Sequence, residues 1–345
     1  MGLNIKDIII KKEISIKDLS GKVLAVDSMN MLYQFLTTIR ARDGSVFTNS
    51  EGKPTSHLIG LFNRATSFME QGLKLIFVFD GKPPEIKQRT KEIRTQAKKA
   101  AGLKLEAAKK LGNIEEMRKY ASRTSVLTRE MVEDAKKLIS YLGLPIVQAP
   151  SEGEAQTAYM VKKSDAYASV SQDFDNLTFG CPLLVRNLSI EGKRKKAGKF
   201  SYQTVKPEAI SLGENLNNLG LDIDQLIVLA ILIGTDYNPG GVKGIGPKKA
   251  LKLIKNSPNN FDKIFKNAEW DNHFPKLEWK EIFYTIKKIP VTDDYNLEWK
   301  PIEEKKLFEF LIQENGFSEE RVNSKLKKIL QEKEKRKQTG LNKFF

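Results

Sequence analysis

The chain has 345 residues, 40% hydrophobic and 29% charged, enough to bury the core of one large α/β domain or two smaller ones. Its 58 Lys and Arg against 43 Asp and Glu leave a net charge of +15; this points to a polyanionic partner, nucleic acid ahead of acidic membrane, or to nothing more than a basic soluble surface. One cysteine, Cys181, and two histidines, His57 and His273, exclude a disulfide framework, a cysteine-based zinc site and a histidine-rich metal site, so a catalytic metal must sit mainly on oxygen ligands, which favours Mg²⁺ or Mn²⁺.

Met1-Gly2 opens like a myristoylation site, but Lys6 stands where that motif needs Ser or Thr. The opening is not a signal peptide and no apolar run is long enough to span a bilayer, so the expected setting is intracellular, without a membrane. Val23-Leu24-Ala25-Val26 predicts a buried strand, followed directly by Asp27 and a helical pattern from Met29 to Ile39. Leu75-Ile76-Phe77-Val78-Phe79 predicts a second strand, followed by Asp80, and Tyr167-Ala168-Ser169-Val170 a third. Strands alternating with helices, including Met131 to Leu142, predict a mostly parallel central sheet flanked by helices. In such sheets ligands bind beyond the carboxyl ends of the strands. Taken singly, each aspartate is more often a turn or helix-cap residue.

Residues 82–129 carry 14 Lys or Arg against 5 Asp or Glu, nine of the excess positive charges. The stretch is made of helix formers yet too polar for a core helix, which predicts an exposed helical insertion between two halves of the α/β domain. Lys87 and Arg94 are seven residues apart, two helical turns, so a helix there sets them on one face.

Further acids follow. Glu152 and Glu154 lie in Ala149-Pro150-Ser151-Glu152-Gly153-Glu154-Ala155. Ser151 and Glu154 match a capping box for the next helix, which explains Glu154 structurally and leaves Glu152 unexplained. Asp173 and Asp175 flank Phe174 just past a predicted strand, where extended backbone turns i and i+2 to one side. Asp236 follows an apolar helix that begins near Asp222. Seven such carboxylates matter only if they converge. Two of them ~4 Å apart repel by about 4 kcal/mol at an effective dielectric near 20, so a cluster needs cations. Two divalent ions supply that and activate water against a phosphodiester without a histidine base.

Gly240-Gly241-Val242-Lys243-Gly244-Ile245-Gly246-Pro247-Lys248-Lys249 predicts a glycine turn opening a helix, whose free N–H groups suit a phosphate. From Ser318 an amphipathic helix (Val322, Leu326, Ile329, Leu330) leads through a lysine-rich run to Gln338-Thr339-Gly340-Leu341-Asn342-Lys343-Phe344-Phe345.

The order and spacing resemble the flap endonuclease family of structure-specific 5′-nucleases. The resemblance rests on Val26-Asp27-Ser28-Met29-Asn30 with Tyr33-Gln34-Phe35, on Val78-Phe79-Asp80-Gly81-Lys82-Pro83-Pro84, on the Glu152/Glu154 and Asp173/Asp175 segments, and on Gly234-Thr235-Asp236-Tyr237. It covers nearly the whole chain. It implies a PIN-like nuclease core with a helical arch insertion and a helix-turn-helix DNA-binding element. The implied organisation is a nuclease region over 1–98, part of the arch over 99–115, an internal nuclease region with the helix-turn-helix over 116–258, a helical region over 259–336 and a clamp-binding tail over 337–345. The implied activity is removal of 5′ flaps in replication and repair, with a 5′-exonuclease activity. Asp27, Asp80, Glu152 and Glu154 lie toward one Mg²⁺, and Asp173, Asp175 and Asp236 toward another, with Mn²⁺ as a substitute.

The resemblance also assigns DNA-handling roles. Lys87 and Arg94 meet the scissile phosphate, against the ordinary reading of a solvated basic face. Tyr33 stacks on a base beside the cut, against the reading of a core tyrosine, and Arg40 on the same helix meets a phosphate. Gly241, Gly244, Gly246, Lys248 and Lys249 grip duplex DNA without reading sequence, with a monovalent cation in the turn. Gly2 lies near the active site and DNA, against a frayed end. Gln338, Leu341, Phe344 and Phe345 match the box that binds replication sliding clamps, against an ordinary disordered tail. The protein is expected to be a monomer by itself. Excision-repair, exonuclease or junction-resolving relatives, a non-catalytic DNA clip tethered to a clamp, and an RNA-cutting relative remain as alternatives.

Overall fold

The apolar runs fold as strands because β-branched and aromatic residues pack well on a buried pleated surface. In the computed structural model, which describes residues 3–190, 192–195 and 202–341, the strands are β1 (Lys12–Glu13), β2 (Val23–Asp27), β3 (Lys74–Phe79), β4 (Ile146–Gln148), β5 (Ala168–Val170), β6 (Leu183–Arg186), β7 (Gly192–Lys195), β8 (Tyr202–Val205) and β9 (Glu208–Ser211). The helices are α1 (Ser28–Thr38), α2 (Ser56–Glu70), α3 (Gln88–Lys110), α4 (Ile114–Arg123), α5 (Arg129–Tyr141), α6 (Gly153–Lys162), α7 (Asp175–Thr178), α8 (Leu212–Leu219), α9 (Ile223–Ile233), α10 (Pro247–Asn256), α11 (Phe261–Asn267), α12 (Trp270–His273), α13 (Trp279–Lys287), α14 (Glu304–Phe308) and α15 (Glu319–Leu341). The predicted elements are present. The third strand begins at Ala168 because Tyr167 is exposed and cannot contribute to a buried strand. The fold is α/β, with sheet flanked by helices.

The chain forms two compact units. One comprises Met1–Ser15, Val78–Ile93 and Gln148–Asp293; the other comprises Ile16–Phe77, Arg94–Val147 and Asp294–Phe345. In the first unit the strand order is β1-β9-β6-β5. β5 and β6 are parallel, while β9 pairs antiparallel with β6 and with β1. β7 and β8 form a separate antiparallel ribbon. The core centres on α9, whose residues from Leu226 to Leu232 are all buried. A helix apolar on every side is stable only when surrounded, and each fully buried Leu or Ile contributes about 1.5–3 kcal/mol. Asp222 and Gln225 close a capping box at its start. Phe265 stacks on Trp279 at 4.4 Å between ring centres.

In the second unit β2, β3 and β4 lie side by side in that order. α2 packs against α1, α5 and α15. α15 docks through Val322, Leu326 and Ile329, but Leu330, placed on the same apolar stripe from the sequence, is exposed: it falls one position past the buried seam. Arg336 donates to the carbonyls of Met69 and Glu70 at the end of α2. The basic stretch forms α3 and α4, and Leu103 on α3, Ile114 on α4 and Leu111 between them are exposed, so the stretch is solvated as expected. No single helix among the described residues is long and apolar enough to cross a membrane.

Candidate active site

In the first unit the ends of β3, β5 and α9 deliver acids to one place. Asp80 follows β3, and its Oδ1 accepts from the Gly153 N–H at 2.8 Å, the first residue of α6. A side chain at Gly153 would start 2.6 Å from that oxygen, so only glycine admits Asp80 to the helix end. The Gly81 N–H donates to Ser151 O at 2.6 Å and the Lys82 N–H to Pro150 O at 3.1 Å. These bonds bind the Asp80 segment to the Glu152 segment along their backbones.

The predicted Ser151–Glu154 capping box is not formed. The N-cap of α6 is Glu152, with no side-chain cap bond. Glu154 is used elsewhere: its Oε1 accepts from Ser171 Oγ at 3.0 Å. Tertiary contacts override the local motif and remove the structural explanation for Glu154.

Asp173 and Asp175 do not share an extended segment. β5 ends at Val170, residues 172–174 bend, and Asp175 is the first residue of α7. The bend arises where the chain reverses from strand into helix. The pair is still mutually felt: burial, then the charges of Asp236 and Asp173, push the Asp175 carboxyl up to about 7. The Leu3 N–H donates to Asp175 Oδ1 at 3.2 Å. Gly2 lies outside the described residues, but Leu3 beside it is buried rather than frayed.

Asp236 lies three residues past α9. Its flanks are fixed by Thr235 Oγ1 donating to Asn238 Oδ1 at 2.7 Å and Asn238 Nδ2 donating to Ile231 O at 2.7 Å. Thr90 Oγ1 donates to Asp236 O at 2.6 Å. Thr90 and Leu3 had no signal in the sequence, because each acts through a main-chain contact made at long range.

Lys87, Glu152, Glu154, Asp175, Asp236 and Tyr237 line one cavity of about 20 Å³, space for about one water-sized particle. Lys87 Nζ stands 2.7 Å from Glu152 Oε2 and 3.2 Å from Asp236 Oδ2. Burial alone would favour the neutral amine, but Glu152, Asp236 and Asp80 together hold Lys87 more firmly charged than an ordinary lysine. Burial and then the Glu152 charge push Asp80 up to about 6, despite the bond from Gly153 and the nearby Lys87. Glu152 Oε1 is buried without a hydrogen-bond partner. An ammonium therefore sits among acids of which one, Glu152, keeps an oxygen without a hydrogen-bond partner. Among the described residues no three acids or histidines form a ready-made metal position. The donors are nevertheless all oxygen, which suits a hard divalent cation better than zinc.

Asp27 is in the second unit, buried, and caps α1 by accepting from the Asn30 N–H at 3.1 Å. Lys87 ends a 3₁₀ turn, Glu85–Lys87, rather than sharing one helix with Arg94, because α3 starts only at Gln88. Tyr33 is 38% exposed, so it is not a core residue; Lys98 Nζ lies 5.7 Å from its ring. Arg40 is not on α1, which stops at Thr38. Its guanidinium donates to Leu36 O at 3.1 Å, to Gly44 O at 2.7 Å and to Ser125 Oγ, so holding this loop uses each of its three nitrogens. Gly241 and Gly244 have φ of +59° and +80° in the turn, and Gly246 caps α10, with Lys248 and Lys249 in the first turn of that helix. The helix of the tail is described to Leu341; Phe344 and Phe345 lie outside the described residues.

Comparison with known proteins agrees across the chain. Residues 3–101 match the XPG N-terminal domain and 143–236 the XPG I-region. Flap endonuclease 1 of Pyrococcus abyssi is 48% identical, covering 100% of this chain and 98% of the relative. That of Staphylothermus marinus is 49% identical, covering all of both. The solved structure of flap endonuclease-1 from Methanococcus jannaschii is 42% identical, with a TM-score of 0.73 over 96% of this chain and 98% of that one.

Proposed function

This chain belongs to the flap endonuclease family, and from that premise we propose that the acids around Lys87 hold two Mg²⁺ ions for hydrolysis of a phosphodiester in branched DNA. The protein is a structure-specific 5′ flap endonuclease of replication and repair. The observation that carries the site assignment is the gathering of Glu152, Glu154, Asp175 and Asp236 around one small cavity, with the Lys87 ammonium against two of them.

Asp80, Glu152 and Glu154, with Asp27, would hold one ion, and Asp173, Asp175 and Asp236 the other; Mn²⁺ would substitute. Bound divalent ions supply neutralisation of the acids and activation of a water for in-line attack. Lys87, beside Glu152 and Asp236, would meet the scissile phosphate and oppose its developing charge, with Arg94 in the same role. Tyr33 offers an exposed ring to a base beside the cut. The turn between α9 and α10 offers a helix N-terminus, with Lys248 and Lys249, to the duplex backbone and holds a monovalent cation. α3 and α4 form the arch that guides the single strand through screened positive charge. The same site trims 5′ ends as an exonuclease. Gln338, Leu341, Phe344 and Phe345 engage a replication sliding clamp, and the enzyme acts on DNA as a monomer.

The test is cleavage of labelled 5′-flap, bubble and four-way-junction substrates, with Mg²⁺ and with a chelator. The expected result is Mg²⁺-dependent cutting of the flap near its junction, lost in Asp175→Ala with DNA binding kept. Wild-type cutting by that variant removes the site assignment, and preference for bubble or junction removes the substrate assignment. Removing residues 338–345 should abolish clamp binding; unchanged binding removes that claim.

A further inference from the structure

Arg186 ends β6, an otherwise apolar strand, and its side chain is only 15% exposed. It lies against the turn that carries Asp173 and Asp175. Its Nε donates to Gln172 O at 2.9 Å, and its guanidinium carbon sits 3.9 Å from the centre of the Phe174 ring. The far side of the guanidinium faces Glu208 on β9, at 3.8 Å, the residue paired with Arg186 across the two strands. Glu208 is itself held by Lys11 at 2.6 Å. Burial disfavours the guanidinium's charge, while Glu208 and then Asp173 favour it.

The other fastenings of the turn complete the frame. Ser171 Oγ donates to Glu154 at its start, Gln172 Nε2 donates to Ser189 Oγ at 3.1 Å, and the Leu3 N–H reaches Asp175 at its end. Arg186 holds the middle through both a main-chain oxygen and a ring face. A bend of this kind has no ladder bonds to fix it, and like charges on Asp173 and Asp175 tend to spread it.

We propose that Arg186 is a positioning residue: by bonding Gln172 O and stacking on Phe174 it fixes the 172–175 turn so that Asp173 and Asp175 present their oxygens to one divalent cation. The inference rests on the reading of these acids as cation ligands. Shape, rather than charge, is what the position requires. A lysine keeps the charge but can neither lie flat on the ring nor donate along the Nε direction.

The test is Mn²⁺ binding to the full-length protein without DNA, read from the free-ion electron paramagnetic resonance signal. Activity against Mg²⁺ concentration is measured beside it. Asp175→Asn is the control: if it binds Mn²⁺ as tightly as the natural chain, the ligand reading itself fails, whatever Arg186 does. With that control weakened, Arg186→Lys and Arg186→Gln should each loosen Mn²⁺ about tenfold, the usual cost of losing a residue that orients a metal ligand. The Mg²⁺ needed for half-maximal cutting should rise in parallel, with the rate at saturation nearly kept. Glu208→Gln, which loosens only the outer anchor, should shift binding the same way by less, and it decides the matter if the Arg186 variants fold poorly. Natural Mn²⁺ affinity in Arg186→Lys with loss only in Arg186→Gln would show that charge suffices and overturn the proposal. So would natural affinity in all three variants.

Discussion

Lys87 Nζ lies 2.7 Å from Glu152 Oε2, inside a group of acids rather than on a solvated helix face. It also reaches Asp236 at 3.2 Å, so one ammonium offsets two carboxylates. Lys87→Met keeps much of the stem and deletes the charge. Breaking a buried pair on one side costs about 3–5 kcal/mol; with both partners keeping some contact with water, about 2–3 kcal/mol is expected. The melting temperature in chelator should fall by several degrees and recover most of that loss when Mg²⁺ is added. Single-turnover flap cutting should drop by about 10²–10³-fold, as for loss of a group that opposes transition-state charge. Equal melting loss with and without Mg²⁺ would mean that Lys87 and the cation do not share these acids.

Glu154 and Ser151 separate chemistry from capping. A working capping box makes either residue worth about 1 kcal/mol of stability. Here Glu152 is the N-cap and Glu154 turns to Ser171. Ser151→Ala should therefore leave the denaturation midpoint within about 0.5 kcal/mol of the natural chain. Glu154→Gln keeps the shape and removes the charge, so it should cut with Mg²⁺ at least about tenfold more slowly. A stability loss near the capping value in Ser151→Ala, with normal cutting by Glu154→Gln, would restore the structural explanation.

Most of the acids were legible in the sequence because each follows an apolar run, and apolar runs become strands and buried helices whose ends lie at known places. Asp80 after β3 and Asp236 after α9 are of this kind. The failures have a common cause. The Ser151 box and the extended Asp173/Asp175 pair were read from spacing within a few residues, and in both places contacts from distant segments prevailed: Asp80 on Gly153, Ser171 on Glu154, Leu3 on Asp175. The burial of Leu330 and the placing of Arg40 on α1 fail through small shifts of helix phase and helix end, which spacing alone does not set. Arg186 left one trace, a charged residue closing the apolar Leu183-Leu184-Val185 run, but its role depends on Gln172 and Phe174 lying beside it.

The glycine turn before α10 should respond unequally to alanine. At Gly241, φ is +59° and an added Cβ would lie 2.2 Å from the Ile233 carbonyl. At Gly244, φ is +80° with open space around it. Gly244→Ala should cost only the left-handed backbone penalty, about 1–2 kcal/mol. Gly241→Ala adds a clash with main chain and must part the turn from the end of α9, two residues before Thr235 begins the Asp236 network. It should lose at least about 3 kcal/mol, the region of named severe defects, and cutting should fall as the Asp236 segment shifts. Equal losses at the two positions by chemical denaturation would mean that close approach at Gly241 is unimportant.

His57 sets a separate acid limit on the fold. It lies at the start of α2, buried, with neither ring nitrogen hydrogen-bonded. Burial pulls it down to about 4 from an ordinary 6.5, with the Asp134 charge and the Met131 backbone pulling weakly the other way. Above the unfolded value near 6.5 both states are neutral and His57 adds no pH dependence. Between about 6.5 and 4 the unfolded chain takes up a proton that the folded chain refuses, so stability is lost as pH falls through that window. The loss approaches about 3 kcal/mol at its lower end and is about 2 kcal/mol at pH 5. His57→Leu removes the titrating group and leaves no buried polar atom unpaired, while keeping a similar volume. It should match or exceed the natural chain at pH 8 and exceed it by about 2 kcal/mol at pH 5, narrowing the gap between urea midpoints at the two pH values. If the variant remains as acid-sensitive as the natural chain, another group sets the limit and His57 takes up its proton in the folded chain as readily as in the unfolded one.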